Sequence, residues 1–189
     1  MMSFADADGR PLDLVVRALI VRLGHLLVCR VRNGYCFAVG GRVEHGETLE
    51  QALRRELLEE TGAAAASLRL VYFHENHYHD RADRAVHELG WYYQVEPQQP
   101  IGQLGRSGPH PDSPELSLEY VPLARLASCG LVPGVLVPRI AADAAGGFAS
   151  GPRHLLSIER PGQPAQVHEL PWQGPDPAAG RGGQAGHDV

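Results

Sequence analysis

The stretch from Gly41 to Ala63, GRVEHGETLEQALRRELLEETGA, decides the reading of this chain. Glycines 40, 41 and 46 mark a loop, and from Thr48 to Thr61 the residues Leu49, Ala52, Leu53 and Leu57 fall at the spacing of one side of a helix. Thr48 with Gln51 three residues on forms a capping box, and Gly62 stands where a left-handed C-terminal residue is favoured. Within this helix Glu56, Glu59 and Glu60 lie at i, i+3 and i+4 and share one face. Like charges at that spacing repel, and the last turn of a helix favours cations rather than anions. A bound divalent cation would reverse both penalties, and an all-carboxylate site selects hard, oxygen-seeking ions. Set against this is the simpler reading of a solvated acidic face.

On the N-terminal side, Leu12 to Arg22 and His25 to Arg32 read as two strands of a hairpin about Gly24, with a further short strand over Tyr35 to Val39. On the C-terminal side, Leu68 to Glu75 and Glu88 to Val95 read as a second hairpin with a charged tip. The Pro-, Gly- and Ser-rich segment from Pro97 to Pro114 reads as a loop of the kind that often faces substrate. Leu116 to Leu123 reads as a strand, Val135 to Ala145 as a helix, and Arg153 to Arg160 with Gln166 to Leu170 as a hairpin turning at Pro161-Gly162. The expected organisation is an N-terminal extension (1–11), one main domain (12–146), an appended hairpin (147–172) and a disordered tail (173–189), whose Gly, Pro and Ala content cannot offset ordering entropy.

A formal net charge of −5 excludes a general nucleic-acid surface, which needs a cationic face to displace counterions. The most apolar stretch, Leu12 to Val31, carries Arg17, Arg22 and Arg30 and is no membrane span. Three cysteines without a C-x-x-C pair fit a reducing compartment, so the cytoplasm is the expected location.

The glutamates sit inside a longer pattern: Gly41, five residues, Glu47, seven residues, Arg55-Glu56-Leu57, one residue, Glu59-Glu60, one residue, Gly62-Ala63. This resembles the Nudix box, GX5EX7REUXEEXGU with U a bulky aliphatic residue, and every fixed position is met; Ala63 is smaller than the usual residue at the last one. The resemblance implies an α/β (α+β) fold, the Nudix α/β/α sandwich with a mixed sheet. It also implies Mg²⁺-dependent (or Mn²⁺-dependent) hydrolysis of a phosphoanhydride bond in a nucleoside diphosphate derivative or nucleotide, and a homodimer is compatible with it. Carried over residue by residue, Glu56, Glu59 and Glu60 are expected metal ligands, with the Gly40 carbonyl as an additional one, and Glu56 and Glu59 are expected in catalysis. Arg55 is expected to pair with Glu47, an Arg–carboxylate fork that holds the loop against the helix.

The family often recruits one more carboxylate from outside the box. Glu115 and Glu119 are both candidates for that ligand or for the general base, and the sequence does not choose between them. Arg42 and Arg30 are candidate contacts to the diphosphate. His74, His77 and His79 form H-x-x-H-x-H, read as pocket lining rather than a zinc site because spacing supplies no fourth ligand. Trp91, Tyr92 and Tyr93 alternate across a strand, where core packing outweighs stacking on a nucleobase. The alternative function is a catalytically inactive Nudix-fold metabolite-binding sensor, which the intact glutamates oppose.

Overall fold

The apolar run from Leu12 to Arg22 enters one sheet and leaves in another. In the computed structural model, which describes residues 4–5, 11–32, 34–80, 82–111, 113–160 and 163–171, β1 (Phe4–Ala5) pairs with β2 (Pro11–Leu19). Strand β2 then runs parallel to a distant strand, whereas β3 (Val21–Arg22) turns back antiparallel onto β4 (His25–Val31). The hairpin expected from sequence is therefore confined to β3 and β4. Strands covered on both faces read as one continuous apolar run, so periodicity cannot mark the handover at Ile20.

After β5 (Cys36–Ala38), which pairs with β4, and helix α1 (Leu49–Thr61) come two long strands. These are β6 (Ala65–His79) and β7 (Ala85–Pro97), an antiparallel hairpin longer at both ends than the sequence suggests. The Pro97 to Pro114 loop contains a short strand, β8 (Gly108–His110), paired with β9 (Ser113–Pro122). Two short 3-10 turns lead to α2 (Val137–Ala145), with Pro138 in its first turn, where a missing N–H costs nothing. Strands β10 (Arg153–Arg160) and β11 (Gln163–Leu170) pair antiparallel, and β10 also lies parallel to β6, so this hairpin extends the main sheet. Its expected turn at Pro161-Gly162 and the tail from 173 onward lie outside the described residues.

One sheet has the order β1-β2-β7-β6-β10-β11 and the other β3-β4-β9-β8, with β5 beside β4. Neighbouring residues of one strand pack into different cores. Tyr92, Leu26 and Val28 join Leu136, Val137 and Ile140 around α2, while Tyr93, Leu27 and Cys29 join Ala52, Leu53 and Leu57 of α1. The sheets thus lie between two helices, the α/β/α arrangement with a mixed sheet. Each fully buried leucine of these cores stabilises the fold by about 1.5–3 kcal/mol. No helix of the described residues is long and apolar enough to cross a membrane.

Candidate active site

Helix α1 begins and ends as its sequence dictates. The Thr48 hydroxyl accepts from the Gln51 N–H at 3.2 Å, the Gln51 side chain accepts from the Thr48 N–H at 2.8 Å, and Gly62 closes the helix at φ +70°. Before it, residues 39 to 43 run antiparallel beside β2: the Val16 N–H donates to Gly41 O and the Val43 N–H to Leu14 O. The approach is too close for side chains. A Cβ on Gly40 would meet the Val16 carbonyl oxygen at 2.2 Å, and one on Gly41 would meet the Glu56 carboxylate at 2.3 Å.

Arg55 ties loop to helix. Its Nε and Nη2 donate to the two oxygens of Glu47 at 2.7 and 3.0 Å, Nη1 donates to Glu56 at 2.8 Å and Glu59 at 3.1 Å, and Nη2 also reaches the Arg42 carbonyl at 3.1 Å. Hydrogen bonding to Glu47 raises the guanidinium pKa further, and the same bond holds the Glu47 carboxyl below the ordinary carboxylate range. The Glu47–Arg55 pair named from sequence is thus present as a bidentate fork.

Glu60 points inward. It is buried, accepts from the Gly40 N–H at 2.7 Å, and has His110 Nε2 at 3.3 Å and the Cys29 thiol at 3.8 Å. Burial raises its pKa, against the Gly40 N–H and the charges of Arg17 and His110, which lower it. The Gly40 carbonyl accepts from Arg17 Nη1 at 2.6 Å.

Glu56 and Glu60 open onto a cavity of about 780 Å³. Its floor is Asp13, Val15 and Arg17 of β2 with Tyr78 and Glu88 of the β6–β7 hairpin; Phe37 and residues 40–45 form its walls. Alternation along β2 puts those three odd-numbered residues on one face. Burial pushes Tyr78 up to about 12 and raises the Glu88 carboxyl. Glu59 is half exposed and joins the group through Arg55. Arg55 is the cation bonded to both Glu56 and Glu59. Carboxylate oxygens suit a hard divalent cation, which would offset the repulsion among them, while the donor atoms within 4.8 Å of a Glu60 oxygen are the Cys29 thiol and a His110 ring nitrogen.

The remaining sequence candidates separate. Arg42 lines the cavity and is engaged by Asp13 through two hydrogen bonds, at 3.1 and 2.9 Å. Arg30 and Glu119 pair with each other at 2.5 Å in a different hollow of about 410 Å³, where Arg30 also donates to the Cys129 carbonyl. Glu115 is exposed, and its carbonyl accepts from the Arg32 N–H. Neither Glu115 nor Glu119 lines the main cavity; the β8–β9 unit instead delivers His110 to Glu60.

The histidine motif lies in β6 rather than in a loop. His74 is buried and shares a 2.8 Å hydrogen bond with Ser157 of β10, and burial pushes its pKa down to about 4. Tyr92 and Tyr93 are both buried, on opposite faces. All three cysteines are free thiols. Asp13, Arg17, Tyr78, Glu88 and His110 carry no motif signal. The parity of Asp13, Val15 and Arg17 was the only hint in the sequence, and it does not say which face borders a cavity.

A sequence model of the NUDIX domain matches residues 11–134. The chain belongs to the NUDIX domain family. Among curated proteins it is 39% identical over 62 residues to the oxidized purine nucleoside triphosphate hydrolase of Danio rerio, a match spanning 31% of this chain and 40% of that protein. It is 52% identical over 40 residues to the NAD-capped RNA hydrolase NudC of Vibrio cholerae, spanning 21% of this chain and 15% of that protein. The chain therefore matches less than half the length of either relative. Among solved structures, the mutator MutT protein of Bacillus halodurans superposes with a TM-score of 0.60 at 17% identity, covering 82% of this chain and 97% of that one. At that identity the likeness shows the fold.

Proposed function

We propose that this chain is a metal-dependent pyrophosphohydrolase that cleaves a phosphoanhydride bond in a nucleoside diphosphate derivative or nucleotide. The observation that carries the reading is the placing of Glu56 and Glu60 at the cavity, with Arg55, forked on Glu47, bonded to both Glu56 and Glu59. The two curated relatives named above are, by name, a hydrolase of oxidized purine nucleoside triphosphates and a hydrolase of NAD-capped RNA, which supports the reaction class.

In this reading Glu56, Glu59 and Glu60, with the Gly40 carbonyl, would hold Mg²⁺ or Mn²⁺, which would supply charge neutralisation at the phosphate oxygens. Arg55 keeps Glu56 and Glu59 aimed and Glu47 anchored, so the carboxylates need little reorganisation at the moment of reaction. Arg17, on the cavity floor, and Arg42, at its edge, offer cationic contacts to a diphosphate. Phe37 and Tyr78 offer ring surfaces to the rest of the substrate. Glu56 or Glu59 accepts the proton of the attacking water, while Glu119, spent on Arg30, is the weaker candidate. The free thiols accord with a cytoplasmic location.

The test is phosphate release over a panel of nucleoside triphosphates, oxidised purine triphosphates, ADP-ribose, NADH and dinucleoside polyphosphates, with Mg²⁺ or Mn²⁺, against Glu59→Gln. Metal-dependent turnover that the substitution abolishes supports the hydrolase. Tight binding of a panel member by the native chain without turnover replaces it with the sensor reading.

A further inference from the structure

The β6–β7 hairpin has two faces, and the catalytic reading uses one. Tyr78 and Glu88 face the cavity; their chain neighbours His77 and His87 face the other way, by the alternation of side chains along a strand. His77 and His87 are direct cross-strand partners, and their rings stack at 4.0 Å between centroids. Glu75, two residues from His77, lies on the same face. One donor atom from each of Glu75, His77 and His87 falls within 4.8 Å of the others, and all three side chains are half buried. The Nε2 of His87 is buried and has no hydrogen-bond partner among the described residues. His154 of β10 lies 2.6 Å from one oxygen of Glu75 and so holds the carboxylate in place.

We infer that Glu75, His77 and His87 form a second metal site, for a zinc-type divalent cation, back to back with the Glu56–Glu60 cavity. Donors about 2.0–2.1 Å from a tetrahedral ion stand about 3.4 Å apart, so binding requires the two stacked rings to splay until the ion lies in the plane of each. Two imidazoles and one carboxylate make a site with a fourth position open to water, and imidazole donors select zinc and its neighbours over Mg²⁺, which keeps to oxygen. His154 is the orienting partner that such carboxylate ligands carry. Of the histidine motif, which the sequence reading took as pocket lining, only His77 belongs to this group: His74 is hydrogen-bonded to Ser157, and Glu75 and His87 join His77. Bound there, the ion cross-links β6 to β7 near the hairpin tip, and holds Tyr78 and Glu88 where they form the cavity floor.

The experiment is titration of the full chain, without a histidine tag and stripped of metal, with Zn²⁺ under a large excess of Mg²⁺ and in competition with a chromogenic chelator. One Zn²⁺ per chain is expected, with a rise in thermal midpoint. The double variant His77→Gln, His87→Gln should bind at least about 100-fold more weakly while keeping the native far-ultraviolet circular dichroism. Equal affinity in the two proteins, or no Zn²⁺ binding by the native chain, overturns the site. Should the variant not fold, zinc-edge X-ray absorption of the native chain decides. A shell with two imidazoles supports the site, and a shell containing sulfur, as Cys29 with Glu60 and His110 would give, or oxygen alone, overturns it.

Discussion

Two arginine–glutamate pairs in this molecule look alike and do different things. Arg55 reaches Glu47, Glu56, Glu59 and a loop carbonyl, so one guanidinium bridges the loop before α1 to the acidic face of α1 itself. Arg30 and Glu119 join β4 to β9, two strands already paired by backbone hydrogen bonds, and line a smaller hollow with Tyr120 and Cys129. The first pair positions charged groups beside a cavity; the second braces a sheet that is held anyway. An ion pair matters to chemistry when it fixes something otherwise free to move, and the contrast is open to direct attack.

The largest effect is expected at the first pair's charges. Glu56→Gln should lower kcat by at least about 10²-fold with the fold intact, read by steady-state kinetics at saturating Mg²⁺. Retention of full activity would leave the box glutamates as a surface feature. Next, Arg55→Lys keeps the charge and loses the planar fork, and should cost about 10- to 100-fold in activity or metal affinity, seen as a steeper requirement for Mg²⁺.

At the second pair, Glu119→Gln should leave turnover within about threefold and destabilise the chain by about 1 kcal/mol in urea unfolding. A loss as large as that of Glu56→Gln would dissolve the contrast and return Glu119 to the role of general base. The smallest effect is in acid. Because Arg55 lowers the Glu47 pKa in the folded state, this pair's contribution to stability is complete above Glu47's ordinary value of 4.5 and is lost as pH falls through the lowered one. Carboxyl NMR titration should find Glu47 below its ordinary range in the native chain and back at it in Arg55→Met.

Local structure was legible where local chemistry is sufficient. The capping box at Thr48, the left-handed exit at Gly62 and the apolar stripe of Leu53 and Leu57 are satisfied within one helix, so the sequence carries them unaided. The fork of Arg55 on Glu47 was readable only through the spacing of a known motif, since eight residues of separation do not by themselves bring two side chains together across a loop. The handover of the Leu12–Arg22 run from one sheet to the other was not readable, because burial on both faces erases the alternation that would mark it.

What lies across from what was the business of the fold. Sequence could not say that β8 brings His110 to Glu60, that Asp13 and Arg17 floor the cavity, or that Glu119 spends its charge on Arg30. Each depends on strand order and register, which are set by how two cores fill around the sheets rather than by any run of neighbouring residues. The sequence by itself determined the helix, its caps and the line of glutamates, because these are contacts between residues three or four apart. The tertiary structure decided which of the other carboxylates, arginines and histidines meet them, because those contacts join residues tens of positions apart that only the packed sheets bring together.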